Sequence, residues 1–356
     1  MTRQDFLKTM AGAGALATLS GSEVASAAPQ HSIRRGVSLY SYQEEYYTRA
    51  MTLQDCLSEA SSIGARAIEI LPEEMVPNFP NPSDEWVDRW HGWMDRYHLV
   101  PDTYCQFQDT VLIKGRDQSL DDGVAMLERD LKLARRMGLK NMRLLIGTPI
   151  DVIERGIPLA EHYDVWMGCE IHAPATVNSR LVHRWLEVIE KHKTQHFGLI
   201  PDFGIFQQRP PRVARDRQIR DGQVTERIAK YIEQACESGT AKEAAAAEVA
   251  KMNPKPGDTR YLATVYNTRM EDPKQLVPLK PYIHHFHAKF YEMTDEYHEF
   301  SIPYEEVIPV LLQAGIDASL VSEYEGQRHT QDIIETDSCE QVRRQHVMLR
   351  RLLGEV

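Results

Sequence analysis

The feature that most constrains the fold is a repeated alternation of short β-rich runs with longer amphipathic helical runs. Eight strands are predicted along the 356-residue chain, and helical sequence follows each of them. The predicted strands cover 35–42, 65–71, 100–107, 141–147, 165–173, 196–204, 283–291 and 318–326. Repeated βα units of this length favour an α/β fold, a closed parallel (β/α)8 TIM barrel. An open doubly wound sheet is the alternative, but no glycine-rich phosphate loop follows the first strand.

One segment interrupts this rhythm between the sixth and seventh strands. Residues 205–282 contain the basic run RPPRVARDRQIRDG and the alanine-rich run AKEAAAAEVAKM. The segment has few aromatic residues and no predicted strand, so we expect a helical insertion at the catalytic end of the barrel. The barrel itself is assigned to residues 34–356.

Residues 1–28 have the three parts of an export signal in the expected order. Arg3 and Lys8 make the start basic, 9–20 is a weakly apolar run, and an Ala-Ser-Ala cleavage pattern follows. The start resembles a twin-arginine signal in which Gln4 replaces the second arginine. A periplasmic or secreted protein is therefore expected, with a cytoplasmic protein that has a frayed N-terminal helix as the alternative.

Charge and cysteine content exclude several classes of protein. The net charge is −11, so the chain repels a phosphate backbone and nucleic acid is not an expected partner. No apolar run after the first residues is long enough to span a bilayer, and no membrane association is expected. The five cysteines are widely separated, which excludes a cysteine zinc knuckle and a disulfide framework.

Acidic and histidine side chains lie near the carboxyl ends of the last four predicted strands. Side chains alternate along a strand, so one set points into the barrel, and barrel enzymes keep their chemistry at the carboxyl ends of the strands. The inward set brings together Glu170, Asp202, His287 and Glu323. Buried carboxylates need a counter-charge, and this donor set suits Mn²⁺, Mg²⁺, Co²⁺ or Fe²⁺ better than a structural zinc.

Other polar residues share the inward faces of these strands. His172 lies on the face of Glu170, His285 and Lys289 lie on the face of His287, and Glu325 lies on the face of Glu323. We assign His285 and Glu325 to substrate binding. Glu69, alone among apolar neighbours on the second strand, is either a substrate-side residue or a salt-bridge partner.

The set resembles the xylose isomerase-like barrel superfamily, which includes sugar phosphate isomerases and epimerases and the AP endonuclease family 2 group. The motifs that carry the resemblance are EIHAP, PDFG, HFHAKFYE and SEYEG. The resemblance covers roughly residues 34–353. It implies that Glu170, Asp202, His287 and Glu323 bind one divalent metal ion. Mn²⁺ is the expected ion, and Mg²⁺, Co²⁺, Fe²⁺ and Zn²⁺ are alternatives.

Within the superfamily, EIHAP, HAKFYEM and SEYEG are most similar to the large subunit of bacterial C-glycoside deglycosidases and related 3-keto-glycoside lyases. That resemblance implies cleavage of a sugar already oxidised to a ketone, a homo-oligomer and a small accessory subunit. The insertion after Asp202, and the lack of a histidine shortly after it, depart from the ordinary epimerases. The acidic charge departs from the DNA-repair branch.

The chemistry expected of this family is proton abstraction next to a carbonyl. We assign His172 as the base, with Glu170 and Glu323 as alternatives, and Lys289 as the group that stabilises the enolate. Elimination of a glycoside and isomerisation or epimerisation of a keto-sugar use the same residues, so both outcomes stay open. A non-catalytic carbohydrate-binding barrel is a third alternative, disfavoured because it need not keep four ionisable ligands.

Overall fold

The eight predicted strands form one parallel sheet that curls into a nearly closed barrel. The computed structural model describes residues 32–108, 114–333 and 337–355, so the predicted export signal lies outside the described residues. Neighbouring strands follow the order β6-β5-β4-β3-β2-β1-β8-β7. The strands are β1 (Arg34–Ser38), β2 (Ala67–Ile70), β3 (Val100–Gln106), β4 (Asn141–Leu144), β5 (Trp166–Ile171), β6 (Phe197–Pro201), β7 (His285–Phe290) and β8 (Ser319–Tyr324). The prediction of a TIM barrel is confirmed.

The helices outside residues 205–282 surround this sheet and bury an apolar layer against its outer face. Side chains such as Leu131, Trp185 and Val342 are fully buried in that layer. The helices are α1 (Gln43–Tyr47), α2 (Leu53–Ser62), α3 (Pro72–Met75), α4 (Asp84–Tyr97), α5 (Leu120–Arg136), α6 (Ile150–Tyr163), α7 (Arg180–His192), α8 (Arg212–Arg220), α9 (Glu226–Glu237), α10 (Lys242–Lys251), α11 (Pro256–Asn267), α12 (Tyr304–Gln313) and α13 (Ser338–Leu353).

The sheet closes at a seam between β6 and β7. Two isolated bridges join these strands, Leu199 to Ile283 and Asp202 to His287. Gly198 is required here, because a Cβ atom at this position would collide with the carbonyl oxygen of Tyr282. The seam therefore brings two predicted metal ligands into register across it.

The strands end earlier than the sequence predicts, by the largest margin at β1, and at β6 a side chain turns the backbone. The predicted strand 35–42 ends at Ser38, and Leu39–Tyr42 form a 3-10 turn. The predicted strand 196–204 ends at Pro201 because the carboxylate of Asp202 accepts a hydrogen bond from the backbone N–H of Gly204, at 2.5 Å. Asp202 is thereby fixed at the mouth of the barrel.

A register shift between β2 and β3 adds polar groups to the barrel interior. The ladder shifts between Ile68 and Glu69, which pair with Pro101 and Thr103 and leave Asp102 between them. Both Asp102 and Thr103 then contact His285, on the opposite side of the barrel. Two consecutive residues thus point inward, which simple alternation does not predict.

The segment between β6 and β7 contains α8 to α11 and a 3-10 run at Pro273–Tyr282. Its helices bury a separate apolar cluster that includes Ile228, Ile232 and Tyr261. Arg212 forms a two-pronged ion pair with Glu292, at 2.9 and 2.8 Å. The contact ties this helical segment to the loop that follows β7.

All five cysteines are free thiols, in keeping with the lack of paired spacing. Within the described part of the chain, no helix combines the length and apolar character needed to cross a bilayer.

Helix α13 is joined to the barrel wall by a buried histidine. The Nη1 of Arg35 lies 2.7 Å from Nδ1 of His346, so Nδ1 accepts, and Nε2 lies 3.0 Å from the hydroxyl of Ser322, to which it donates. Burial, and then the charge of Arg35, lower the pKa of His346 to about 3. The histidine therefore stays neutral in the folded protein at pH values where an exposed histidine is charged.

We expect this histidine to make the protein sensitive to mild acid. The unfolded chain protonates His346 near pH 6.5 and the folded chain only near pH 3, so its contribution to stability is complete above pH 6.5 and is lost as the pH falls. Between pH 6 and 4, the free energy of unfolding should fall by about 1.4 kcal/mol per pH unit more in the wild type than in His346→Gln. Urea titrations of the metal-free proteins measure this difference.

The control is His183→Gln, a change at an exposed histidine on α7, which should follow the wild-type slope. Equal slopes for His346→Gln and the wild type would contradict the prediction.

Candidate metal centre

The four residues predicted to bind a metal meet at the carboxyl ends of β5 to β8. Glu170 lies near the end of β5, Asp202 just after β6, His287 within β7 and Glu323 near the end of β8. None is more than 5% exposed. One potential ligand atom from each residue lies within 4.8 Å of the others. The four side chains are close enough together to hold one metal ion.

The imidazole of His287 is at the centre of the cluster. Its Nδ1 atom lies 3.0 Å from Oε1 of Glu170, 3.3 Å from Oε1 of Glu323 and 3.9 Å from Oδ2 of Asp202. Burial lowers the pKa of His287, but Glu323, Glu69 and Glu170 more than offset it and hold the pKa well above the usual range. The surrounding carboxylates therefore stabilise a positive charge at this imidazole.

The carboxylate oxygens also fit a cation. Oδ2 of Asp202 and Oε2 of Glu323 are buried and receive no hydrogen bond of acceptable geometry from the described residues, although Lys289 Nζ lies 2.8 and 3.3 Å away. Burial raises the pKa of Asp202 to about 7 despite that lysine. Three carboxylates and one imidazole therefore have the composition and unsatisfied charge of a divalent-cation site.

A column of three residues lies below the cluster, inside the barrel, and consists of Glu69, His285 and Asp102. Oε2 of Glu69 lies 3.0 Å from Nε2 of His287 and 2.9 Å from Nε2 of His285. Nδ1 of His285 lies 3.1 Å from Oδ2 of Asp102. Ser38 and Ser319 donate hydrogen bonds to the outer oxygens of the two carboxylates, at 2.6 and 2.7 Å.

This column determines which nitrogen of His287 can bind a metal. Because Nε2 donates its proton to Glu69, Nδ1 is left facing Glu170, Asp202 and Glu323. A carboxylate that accepts from the second nitrogen is the usual support of a metal-bound histidine. Glu69, His285 and His287 also form a potential ligand group of their own, but their separations of 2.9 and 3.0 Å are those of hydrogen bonds.

Lys289 supplies a fixed positive charge on the side of the cluster that faces β6 and β8. Its Nζ atom lies 2.8 Å from Asp202, 3.3 Å from Glu323 and 3.4 Å from Glu325. Burial lowers the pKa of Lys289, but Asp202, Glu323 and Glu325 more than offset it and keep the pKa well above the usual range. The ammonium group therefore stays charged at the edge of the site.

His172 lies beside Lys289 and outside the four-residue cluster. Its Nδ1 atom is 2.6 Å from the carbonyl oxygen of Ala173, to which it donates its proton. Nε2 is then an acceptor and lies 2.8 Å from Nζ of Lys289. A half-buried imidazole with an unprotonated nitrogen thus faces the candidate metal centre.

The other residues predicted to bind substrate differ in their positions. Glu325 lies at the rim, where it contacts Lys289. Glu69 and His285 are fully buried below the cluster and hydrogen-bonded to protein atoms. Their substrate-binding role stays a prediction, and the geometry favours support of His287.

Besides Asp102, two residues near the cluster were not identified from the sequence. Arg143 projects inward from β4, and its Nε atom lies 3.7 Å from Oε2 of Glu170. The hydroxyl of Tyr40 is buried without a hydrogen-bond partner among the described residues, and Glu325 and Lys289 are among the charges around it. Arg143 lies two residues after Asn141, whose side-chain amide donates to Asp102 inside the barrel, so the alternation could have revealed it. Tyr40 lies in a turn, where the alternation no longer applies.

A parallel barrel that gathers these ligands at the carboxyl ends of its strands has the architecture of a barrel enzyme with a divalent-metal site. A family model described as "Xylose isomerase-like TIM barrel" matches residues 57–345. The chain belongs to this family, as the sequence motifs predicted.

Relatives with assigned activities match along nearly the whole chain. The "3'-dehydrocarminate deglycosidase alpha subunit" of Microbacterium is 26% identical over 91% of this chain and 96% of the relative. The "C-glycoside deglycosidase alpha subunit" of Arthrobacter globiformis is 24% identical over 91% of this chain and 93% of the relative. The solved structure of L-ribulose 3-epimerase shares the fold, with a TM-score of 0.54 and 12% identity over 90% of this chain and 95% of that one. The predicted resemblance to the deglycosidases, and the prediction of an enzyme, are confirmed.

We expect each metal ligand to be needed for metal retention. Glu170→Gln, Asp202→Asn, His287→Ala and Glu323→Gln should each lower the Mn²⁺ affinity at least about tenfold, because each removes a charged or imidazole donor from a buried site. Elemental analysis of the purified proteins, followed by calorimetric Mn²⁺ titration, measures the loss.

Asp130→Asn is the matched control. This buried carboxylate lies on α5, outside the barrel wall, and is bound by Arg129, so its loss should leave metal content unchanged. Wild-type metal content in all four ligand variants would show that the cluster is not the metal site.

We expect Glu69→Gln to weaken Mn²⁺ binding about tenfold although Glu69 is not a ligand, because the variant removes the charge that supports the Nε2–H of His287. Competition with a chelator measures the affinity. Ser319→Ala removes one hydrogen bond at the far end of the column and should have a smaller effect. Unchanged affinity in Glu69→Gln would mean that the column does not support the ligand.

Proposed function

We propose that the chain is a divalent-metal-dependent, carbohydrate-active enzyme that removes a proton next to a carbonyl and thereby cleaves a glycoside of a keto-sugar. The observation that carries this proposal is the position of the His172–Lys289 pair beside the four-residue cluster. The relatives' names support the choice of a deglycosidase, since both match more than nine-tenths of the chain.

Glu170, Asp202, His287 and Glu323 would hold the ion in this enzyme. A bound divalent cation supplies Lewis acidity toward a carbonyl oxygen. An oxygen-rich donor set with one imidazole suits Mn²⁺, which is the ion we propose. The remaining chemistry is assigned to side chains of the protein.

His172 is the proposed base. Its Nδ1–H is held by the carbonyl of Ala173, which leaves the Nε2 lone pair directed into the site. In the reaction, the C–H bond next to the ketone breaks, the proton moves to Nε2, and the electron pair is displaced toward the carbonyl oxygen. An imidazole nitrogen with an available lone pair is a common general base in enzymes.

The ammonium group of Lys289 can move its hydrogen bond from Nε2 of His172 to the negative charge that develops on the substrate's carbonyl oxygen. Its ammonium group contacts three carboxylates as well as Nε2 of His172. When a substrate takes the place of Lys289 at Nε2, those carboxylates keep the ammonium in the site. A fixed charge already in place stabilises an enolate without a large reorganisation.

The substrate determines which product forms after the proton transfer. Where a glycosidic bond lies β to the removed proton, the electron pair forms a C=C bond, the glycosidic bond breaks, and the departing group takes its electrons and then a proton. Without such a bond, return of the proton to the opposite face of the same carbon gives an epimer. Its delivery to the former carbonyl carbon, while the neighbouring hydroxyl group loses its proton and becomes the new carbonyl, gives an isomer. We place elimination first because of the deglycosidase relatives, and epimerisation second because of the fold shared with L-ribulose 3-epimerase.

The relatives' names also bear on assembly, since both are called alpha subunits. We propose that the chain acts with a small accessory subunit. Homo-oligomerisation and export to the periplasm or the exterior remain proposals from the sequence.

We expect His172→Ala to keep its Mn²⁺ and to lose about 10²- to 10⁴-fold of its turnover, because it removes a base and no ligand. Release of the aglycone from a 3-keto-glucoside, followed together with metal content, measures both properties. His183→Ala, at an exposed position on α7, is the matched control.

Loss of metal in His172→Ala would make His172 a ligand, and retained turnover would exclude it as the base. Wild-type activity on free keto-sugars, without aglycone release from glycosides, would favour the epimerase alternative.

A further inference from the structure

Arg143 is a buried cation, and two of its guanidinium nitrogens have no hydrogen-bond partner among the described residues. It is 6% exposed and extends from β4 to the side of Glu170. Its Nε atom lies 3.7 Å from the carboxylate, too far for a hydrogen bond. Neither Nε nor Nη1 finds an acceptor within the described residues. Because arginine does not lose its proton in proteins, these donors call for an explanation.

A second buried arginine of the same chain provides the comparison. Arg35 is 7% exposed, and its Nε donates to Glu355 at 2.7 Å while its Nη1 donates to His346 at 2.7 Å. The same two nitrogens that are occupied in Arg35 are unoccupied in Arg143. The two arginines are equally buried, but among the described residues only Arg35 uses its Nε and Nη1 donors within the protein. We infer that Arg143 does more than balance the charge of Glu170.

The neighbours of Arg143 distinguish it from the other cation of the site. Lys289 is surrounded by Asp202, Glu323 and Glu325, and its charge is matched by protein groups. Arg143 has the nearby carboxylate of Glu170, and its Cζ atom lies 5.3 Å from the ring centroid of Phe107. Free N–H donors next to an aromatic ring make a place for an oxygen anion with an apolar group beside it.

We propose that Arg143 is a substrate-binding residue that donates hydrogen bonds to an anionic oxygen on the Glu170 side of the candidate metal centre. The inference rests on the proposed function and adds to it the chemistry of one substrate group. The oxygen is either a carboxylate or phenolate of the substrate, or the carbonyl oxygen that gains the electron pair when the proton moves to His172.

The two sources of negative charge separate in steady-state kinetics. A permanently anionic group interacts with Arg143 in the bound substrate as well as in the transition state, so the loss of Arg143 raises KM. A charge that develops during proton removal interacts fully with Arg143 only in the transition state, so the loss of Arg143 lowers kcat.

Binding of oxalate to the Mn²⁺-loaded protein tests the anion site without any turnover. Calorimetry should show about tenfold or greater weakening of oxalate binding in Arg143→Met, with Arg143→Lys between that variant and the wild type. Arg129→Met removes an arginine bound to Asp130 outside the barrel, and it should bind oxalate as the wild type does. Mn²⁺ content should be the same in all four proteins.

Equal oxalate affinity in Arg143→Met and the wild type would overturn the proposal, as would a wild type that does not bind oxalate. Loss of Mn²⁺ from both Arg143 variants would overturn it as well, because Arg143 would then act by holding Glu170. If Arg143→Met does not fold, Arg143→Lys decides, and unchanged affinity there overturns the proposal.

Turnover of a 3-keto-glucoside is scored separately. Its absence in the wild type would count against the proposed function, whereas the oxalate result would still decide the role of Arg143.

Discussion

The interior of the barrel is arranged around the two nitrogens of one buried imidazole. Nδ1 of His287 faces Glu170, Asp202 and Glu323, while Nε2 is held by Glu69. None of these carboxylates could be buried alone, because removing a charge from water is costly unless an opposite charge or several hydrogen bonds replace the water. The imidazole therefore links strands from opposite sides of the barrel. A one-residue slip of any of them would turn its charged side chain into the apolar layer.

The same imidazole separates the barrel interior into two parts with different properties. Below it, Glu69, His285 and Asp102 are satisfied by one another and by serine hydroxyls, and they are closed to solvent. At the level of the cluster and above it, carboxylate oxygens and arginine donors are left without partners among the described residues. A layer of fully hydrogen-bonded polar groups therefore lies directly below a layer of polar groups that lack partners among the described residues. This combination allows a site to bind a ligand without moving its own supports.

Much of this arrangement could be predicted from the sequence, because period-two alternation and the position of strand ends are local properties. Glu170, Asp202, His287 and Glu323 were each placed correctly on an inward face by that reasoning. Asp102 was not, because the register shift between β2 and β3 depends on the pairing of two strands and breaks the alternation.

The supporting role that the geometry favours for Glu69 and His285 could not be predicted either. These two residues are 216 positions apart in the sequence. How far each side chain lies below the mouth of the barrel depends on the stagger of its strand against the neighbouring strands, which local sequence does not reveal. Arg143 could have been predicted, since it shares a strand face with Asn141. It was missed because a single arginine on a strand does not by itself indicate a metal site.

The seam between β6 and β7 has a further consequence. The two strands meet through isolated bridges, and one of these joins Asp202 to His287. A cation bound by both side chains would cross-link β6 and β7 and so help to close the barrel. The long helical segment also leaves and re-enters the wall at this point, where two isolated bridges join the strands. The candidate metal centre therefore lies at the edge where the sheet closes and where the long helical segment is inserted.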